Sequence, residues 1–366
     1  MAISRLVSRF SQLILMFWVI GLTNANLKLG FYQETCPGAE DIVAKTTFQI
    51  VSRSPTLAAS LSRLHNHDCF VRGTLLRIKF LCFLLQISAQ YHAFIPLWKL
   101  DRIEYTFNDE RKKGCDGSVL LDSTKTNKAE KESLANLSLR GFHVIDTVKA
   151  AVEKKCPGVV SCADILALVA RDAVATIHGP YWEVPTGRRD GRVSISSEVI
   201  PNVPAPFFDI NKLKSLFSAK GLSVKDLVVL SGAHTIGVSH CSSFSSRLFN
   251  FTGKGDTDPT LDPTYLLQLK QKCKPGDANT LVEMDSGSFK NFDEDYYNLV
   301  SKRRGLFQSD ASLLDDTQTK AYVNFQANSH GYSFSKDFAA SVVKMGKIEV
   351  LTGNEGEIRK HCSFIN

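Results

Sequence analysis

Leu61-Ser62-Arg63-Leu64-His65-Asn66-His67-Asp68-Cys69-Phe70 is the stretch on which the reading of this chain turns. It stands at the end of a predicted helix, where Arg63 precedes His67 by four residues and so shares a helix face with it. His65 lies about 160° from His67 around the helix axis and points elsewhere. Far downstream, Leu230-Ser231-Gly232-Ala233-His234-Thr235-Ile236-Gly237 sets another histidine near the end of an apolar helix. Any one of these histidines alone reads as an ordinary hydrogen-bonded or surface residue; the meaning lies in the combination. His65, His67 and Asp68 are also residue types that bind zinc in hydrolases, but the helical geometry turns His65 away from such a site.

Outward from these two stretches the pattern is helical. Residues 38–52 and 54–67 read as successive helices, the second opened by Pro55. Apolar residues at three-and-four spacing predict further helices over 141–155, 162–178 and 209–220. Ser223 with Asp226 resembles a capping box starting a helix over 224–236, and Pro263 opens another over 264–273. Helices over 293–302, 318–330 and 336–349 complete the series, and short strands are expected only at 182–185 and 281–284. No repeat of solenoid length occurs. The fold class is mainly α, in one large helical domain spanning residues 26–366.

Two segments stand apart. Arg5 and Arg9 precede an apolar run from Leu13 to Leu22, followed by Thr23-Asn24-Ala25. The run is shorter than the ~20 apolar residues a membrane span needs, so residues 1–25 read as a cleaved export signal rather than an anchor. Residues 74–113 are rich in Leu, Ile and Phe at their start, contain Cys82, end in a charged stretch and lack cap or turn grammar. Of the formal charge of +7, the leader carries +2 and residues 74–113 carry +3. The mild positive balance that remains suits contact with acidic wall polysaccharide and gives no ground for nucleic-acid binding. There are nine cysteines; in an exported chain eight of them read as four disulfides, and arithmetic alone does not choose among the pairings.

The motifs in register closely resemble the secreted plant haem peroxidases, over nearly the whole mature chain. They are Leu29-Gly30-Phe31-Tyr32 with Cys36-Pro37, His67-Asp68-Cys69-Phe70, Gly114-Cys115-Asp116-Gly117-Ser118, Arg140-Gly141-Phe142, Ser161-Cys162-Ala163-Asp164, Gly187-Arg188-Arg189-Asp190, Ser231-Gly232-Ala233-His234-Thr235 and Gln308-Ser309-Asp310. The resemblance implies the plant-type peroxidase fold, helices sandwiching one haem b, and the activity of a phenolic donor:hydrogen peroxide oxidoreductase. It implies His234 as proximal iron ligand with Asp310 accepting from its other ring nitrogen, and His67 as distal base beside a charge-stabilising Arg63. Asn136 would orient His67, and Glu130 would join that network next to the distal metal group. Two calcium ions are implied: one held by Asp68, Val71, Gly73 (or Gly114), Asp116 and Ser118, the other by Thr235, Asp285, Ser288, Asn291 and Asp293. Clustered hard oxygens of this kind suit calcium. Pro204, in Pro204-Ala205-Pro206, would lie near the donor site, although a plain loop proline reads nearly as well. The implied disulfides are Cys36–Cys156, Cys69–Cys115, Cys162–Cys362 and Cys241–Cys273, leaving Cys82 alone. The implied partners are hydrogen peroxide and small phenols, for a monomer with no membrane or nucleic-acid partner, located extracellularly (cell wall or apoplast) or in the vacuole. Asn136 and Asn250 begin glycosylation sequons; a buried role for Asn136 leaves Asn250 as the acceptor.

The chain departs from the family twice. Asn66 stands where the family carries phenylalanine next to the distal histidine, which opens and wets the pocket. Residues 74–113 separate Cys69 from Cys115, which are close neighbours in the family. The leading reading of that segment is a retained intron or gene-model error, and the rival is a genuine isoform with weakened activity. A haem-binding wall protein without turnover and a zinc hydrolase are the alternatives from other classes; the second leaves the downstream motifs unexplained.

Overall fold

Every residue from 162 to 174 is buried in the helix Cys162–Thr176, so this mainly apolar helix, whose charged Asp164, Arg171 and Asp172 are all paired, forms the axis of the molecule. The computed structural model describes residues 27–71, 114–329 and 332–366. The leader expected at 1–25, the candidate ligand Gly73, Cys82 and the whole segment 74–113 lie outside the described residues.

Twelve α-helices and one two-stranded sheet make up the described structure. In chain order the helices are α1 (Ala39–Val51), α2 (Leu57–Phe70), α3 (Phe142–Lys155), α4 (Cys162–Thr176), α5 (Ile210–Ala219), α6 (Val224–Ser231), α7 (Ser245–Phe249), α8 (Pro263–Lys272), α9 (Asp295–Ser301), α10 (Gln308–Ala311), α11 (Thr317–Ala327) and α12 (Tyr332–Met345). The strands β1 (Val238–His240) and β2 (Leu281–Glu283) pair antiparallel, with Ser239 opposite Val282. Helices α1, α2 and α3 pack around α4, and a second group packs α9 and α11 with α6, which also meets α5 and α12.

Local chemistry sets the boundaries. Ser161 caps α4 by accepting from the Asp164 N–H, and the Ser223–Asp226 capping box opens α6. Pro263 sits in the first turn of α8 behind the Asp262 cap. Helix α2 starts later than the 54–67 expectation and continues to Phe70. The 224–236 helix stops at Ser231 and tightens into a 3-10 turn, Gly232–Thr235. The strand expected at 182–185 does not form. Pro185 has no N–H to donate, its carbonyl is taken by Arg188 Nη1 at 2.8 Å, and the residues that follow make only isolated bridges among the described residues, Thr186 to Lys28, Arg189 to Leu351 and Asp190 to Glu357.

Two buried carboxylates lock the start of α4 to the rest. Asp164 Oδ2 accepts from the Tyr32 hydroxyl at 2.7 Å and from the N–H groups of Gly187 and Arg188, while its Oδ1 accepts from Arg188 Nη1 at 2.7 Å. Arg188 Nε donates onward to the Gly346 carbonyl just beyond α12. Asp190 accepts from the N–H groups of Cys162, Ala163 and Arg359, which places negative charge at the amino end of α4. Four disulfides close Cys36–Cys156, Cys69–Cys115, Cys162–Cys362 and Cys241–Cys273. The second brings together the flanks of the undescribed segment, with Cα atoms 4.0 Å apart.

Arg188→Met leaves the buried Asp164 carboxylate without its cation. The expected loss of stability is about 3–5 kcal/mol, read as a lower urea midpoint; an unchanged midpoint would remove Asp164 and Arg188 from the framework.

Candidate active site

Helix α2 carries Arg63 and His67 one turn apart, and their side chains meet. Arg63 Nε donates to His67 Nε2 at 3.2 Å. A guanidinium only donates, so Nε2 carries the lone pair and the ring hydrogen sits on Nδ1. That hydrogen is donated to Asn136 Oδ1 over 2.7 Å. Asn136 arrives from a run of turns after the 3-10 turn Glu130–Glu132, closed by Asn136 N–H to Ser133 O and Leu139 N–H to Asn136 O. The run ends at Gly141, whose φ of 100° and whose position against Leu61 both exclude a side chain: a Cβ there would lie 2.8 Å from Leu61 Cδ2. The loop is thereby pressed onto α2.

The same loop holds Arg63. Its Nη1 donates to Ser138 Oγ at 2.9 Å and its Nη2 to the Ala135 carbonyl at 3.0 Å. Arg63 keeps an open outer face, yet the protein packed around it and the Arg140 guanidinium lower its pKa to about 10, which leaves it charged. Burial and the Arg63 charge push His67 down to about 3, against a smaller upward pull from the Asn136 bond. His65 points away as its helical position requires, into the core beside Cys69 Sγ at 3.7 Å. It too is lowered to about 3, by burial and Arg188. Asn66 donates from Nδ2 to Met345 Sδ at 3.4 Å. Asn136 is 2% exposed whereas Asn250 is exposed, so only the second sequon is open to a glycan.

His234 lies in the 3-10 turn after α6, and its Nδ1 is 2.7 Å from Asp310 Oδ1. Burial alone would raise the Asp310 carboxyl, but the His234 ring, the Phe307 N–H and the Tyr296 hydroxyl hold it below its ordinary value. The ionised carboxylate fixes the His234 hydrogen on Nδ1 and leaves Nε2 with a lone pair. Edge-on contacts with Phe307 and Tyr296, at 5.2 and 6.0 Å between ring centres, set the ring's orientation. Three residues on, Gly237 (φ +98°) would put a Cβ 2.7 Å from that of Ala59, one turn before Arg63 on α2. The two histidine-bearing segments are therefore in direct contact at one end. The Pro204 loop is tied to the same neighbourhood, since Ser309 N–H donates to the Pro206 carbonyl at 3.0 Å.

The Peroxidase family model matches residues 43–329 of the chain. The chain belongs to the peroxidase family. Peroxidase 56 of Arabidopsis thaliana is 52% identical over 340 residues, covering 93% of this chain and 91% of that one. Peroxidase 27 of the same plant is 52% identical over 354 residues, covering 96% of this chain and 97% of that one. Peroxidase 1 of Oryza sativa subsp. japonica is 47% identical over 372 residues and covers both chains completely. The protein is accordingly a haem peroxidase that uses hydrogen peroxide.

The peroxidase's own residues fit a haem iron. His234 offers a lone pair at Nε2, its Nδ1–H is held by a carboxylate, and its side chain keeps 35% of its surface open. Among the described residues no cluster of three or more His, Cys, Asp or Glu side chains could hold a metal ion, so a cation here needs hydroxyl and backbone oxygens as well. Two groups have that composition. Asp68, Asp116 and Ser118 are all buried beside Val71, and burial together with Asp116 raises the Asp68 carboxyl well above its ordinary value. Next to His234, the Thr235 hydroxyl lies 3.3 Å from Asp285 Oδ2 and 3.0 Å from Asp293 Oδ1, with Ser288 bonded to the other Asp293 oxygen. Burial and the neighbouring Asp293 and Asp295 push Asp285 up to about 7. Asn291 stands in the turn between them, donating from its N–H to the Ser288 carbonyl. Glu130 is fully buried at the start of the Asn136 loop.

Sequence reasoning missed Ser138 and Ala135 as holders of Arg63, and Tyr296 as a partner of Asp310. Ser138 stood in view only as part of a sequon, and no local pattern marks Tyr296.

Between about pH 3 and 6.5 the folded chain keeps His67 neutral while the unfolded chain protonates it. Stability contributed by this ring is therefore full above 6.5 and falls as the pH drops toward about 3. Proton NMR of the folded protein should find the His67 ring neutral down to near pH 3; a midpoint close to 6.5 would contradict the buried, Arg63-facing position.

Proposed function

We propose that the chain reduces hydrogen peroxide with His67 as the proton carrier and oxidises small phenols in successive one-electron steps. The observation that carries this reading is the chain Arg63 Nε–His67 Nε2 and His67 Nδ1–Asn136 Oδ1, at 3.2 and 2.7 Å, which leaves a neutral base with its lone pair at Nε2. His234 Nε2 would hold haem, whose iron would take up the oxidising equivalents of peroxide. The peroxide proton takes the place of the Arg63 Nε–H at His67 Nε2, and the ring returns that proton to the departing oxygen. Arg63, anchored on Ser138 and Ala135, stabilises the negative charge that grows on that oxygen. Asn136 holds the productive tautomer throughout. Asp310 makes the His234 ring electron-rich, which favours O–O cleavage.

Phenols are oxidised near the Pro204 loop, which Ser309 ties to the His234 side of the site. Asp68, Val71, Asp116 and Ser118, with Gly73, hold one calcium ion near the distal helix; Glu130 belongs to the same network. Thr235, Asp285, Ser288, Asn291 and Asp293 hold the second next to His234, stiffening each histidine-bearing segment. The protein acts outside the cell or in the vacuole, a reading supported by the leader at 1–25 and by four disulfides. No helix among the described residues is long and apolar enough to cross a membrane. Residues 74–113 are an addition to the peroxidase body from a retained intron or a gene-model error, not an evolved feature; native peptides from this segment, detected by mass spectrometry, would refute that reading.

His67→Leu is expected to slow the reaction of the haem-loaded protein with peroxide by about 10²–10⁴-fold, while haem binding persists. Stopped-flow rates within threefold of the unsubstituted protein would overturn His67 as the proton carrier.

A further inference from the structure

Asp310 is 1% exposed and accepts three hydrogen bonds: one at Oδ2 from the Phe307 N–H at 2.8 Å, and two at Oδ1. The two at Oδ1 come from His234 Nδ1 at 2.7 Å and from the Tyr296 hydroxyl at 3.0 Å. Tyr296 is itself 2% exposed on α9, packed edge-on against both His234 and Tyr297. We infer that Tyr296 is a positioning residue that sets the electron richness of the proximal ligand by sharing the Asp310 oxygen to which His234 is bonded. This rests on the reading of His234 as iron ligand.

The physical reason is a division of charge. A carboxylate oxygen bonded to the imidazole N–H alone draws that hydrogen toward itself and gives the ring imidazolate character. A second donor on the same oxygen takes part of the negative charge, weakens the pull on the His234 hydrogen and keeps the ring nearer neutral imidazole. In a buried site, where charge-assisted bonds are strong, the share is substantial. Tyr297 is the natural comparison. It packs edge-on in the same aromatic group, but its hydroxyl donates to the Val228 carbonyl and makes no bond to Asp310.

The test uses the haem-loaded protein and reads the iron midpoint potential together with the iron–histidine stretching frequency of the reduced form. Tyr296→Phe keeps the ring and removes only the donor. The potential should fall, by up to a tenfold change in the iron(III)/iron(II) ratio at fixed potential, or about 59 mV, and the stretching frequency should rise. Asp310→Asn should move both the other way, and Tyr297→Phe should move neither. If Asp310→Asn shifts both readouts and Tyr296→Phe shifts neither, the inference is overturned and His234 remains the ligand. If no variant shifts them, the assignment of His234 fails and the inference with it. Equal shifts in Tyr296→Phe and Tyr297→Phe would mean that packing of the aromatic group is responsible, which also overturns it.

Discussion

The bond between His234 Nδ1 and Asp310 Oδ1, and its counterpart between His67 Nδ1 and Asn136 Oδ1, are both 2.7 Å long and do the same thing to two different rings. Each takes up the Nδ1 hydrogen and so leaves a lone pair at Nε2. What differs is the acceptor. A neutral amide at His67 fixes the tautomer without adding charge, and Arg63 beside it disfavours protonation of the ring, which suits the proposed role of base. An ionised carboxylate at His234 adds electron density to the ring, which suits the proposed role of metal ligand. One residue type is thus set in two electronic states because its partners differ in charge.

Such bonds are useful only if their four residues are carried on elements that do not shift. Helix α4, buried on every side, is the reference for α1, α2 and α3, and Asp164 and Asp190 fasten its first turn to distant parts of the chain. Gly141 lets the Asn136 loop close on α2, and Gly237 lets the His234 segment close on Ala59 of the same helix. Both contacts depend on glycines with positive φ, so both histidines gain their positions from close backbone approach rather than from side-chain packing alone. The Cys69–Cys115 bridge has a similar effect at the far end of α2, holding His67 and Asp68 in place whatever path residues 74–113 follow.

Much of this was legible in the sequence, for reasons that differ from residue to residue. The Arg63–His67 pair follows from helical spacing, and the caps at Ser223 and Pro263 follow from local chemistry. Asn136 and Asp310 carry no such local mark, because they meet their histidines across 69 and 76 residues; only the register of many motifs pointed to them. The strand expected at 182–185 does not form, because Trp182 and Val184 are buried in a loop that Pro185 and Arg188 keep out of any ladder. The short helices α7 and α10 span fewer residues than periodicity needs. Tyr296 was not legible at all, since its contact with Asp310 depends on how α9 is rotated against α10.

The most direct measurement is to load the chain as written with haem, add one equivalent of hydrogen peroxide and follow the haem absorption band, with a form lacking residues 74–113 alongside. The expected result is prompt conversion of the band and its return on adding a phenol, because the two tied imidazoles lie in the body common to both forms. A haem band present in both forms and converted in neither would contradict the roles assigned to His67 and Arg63.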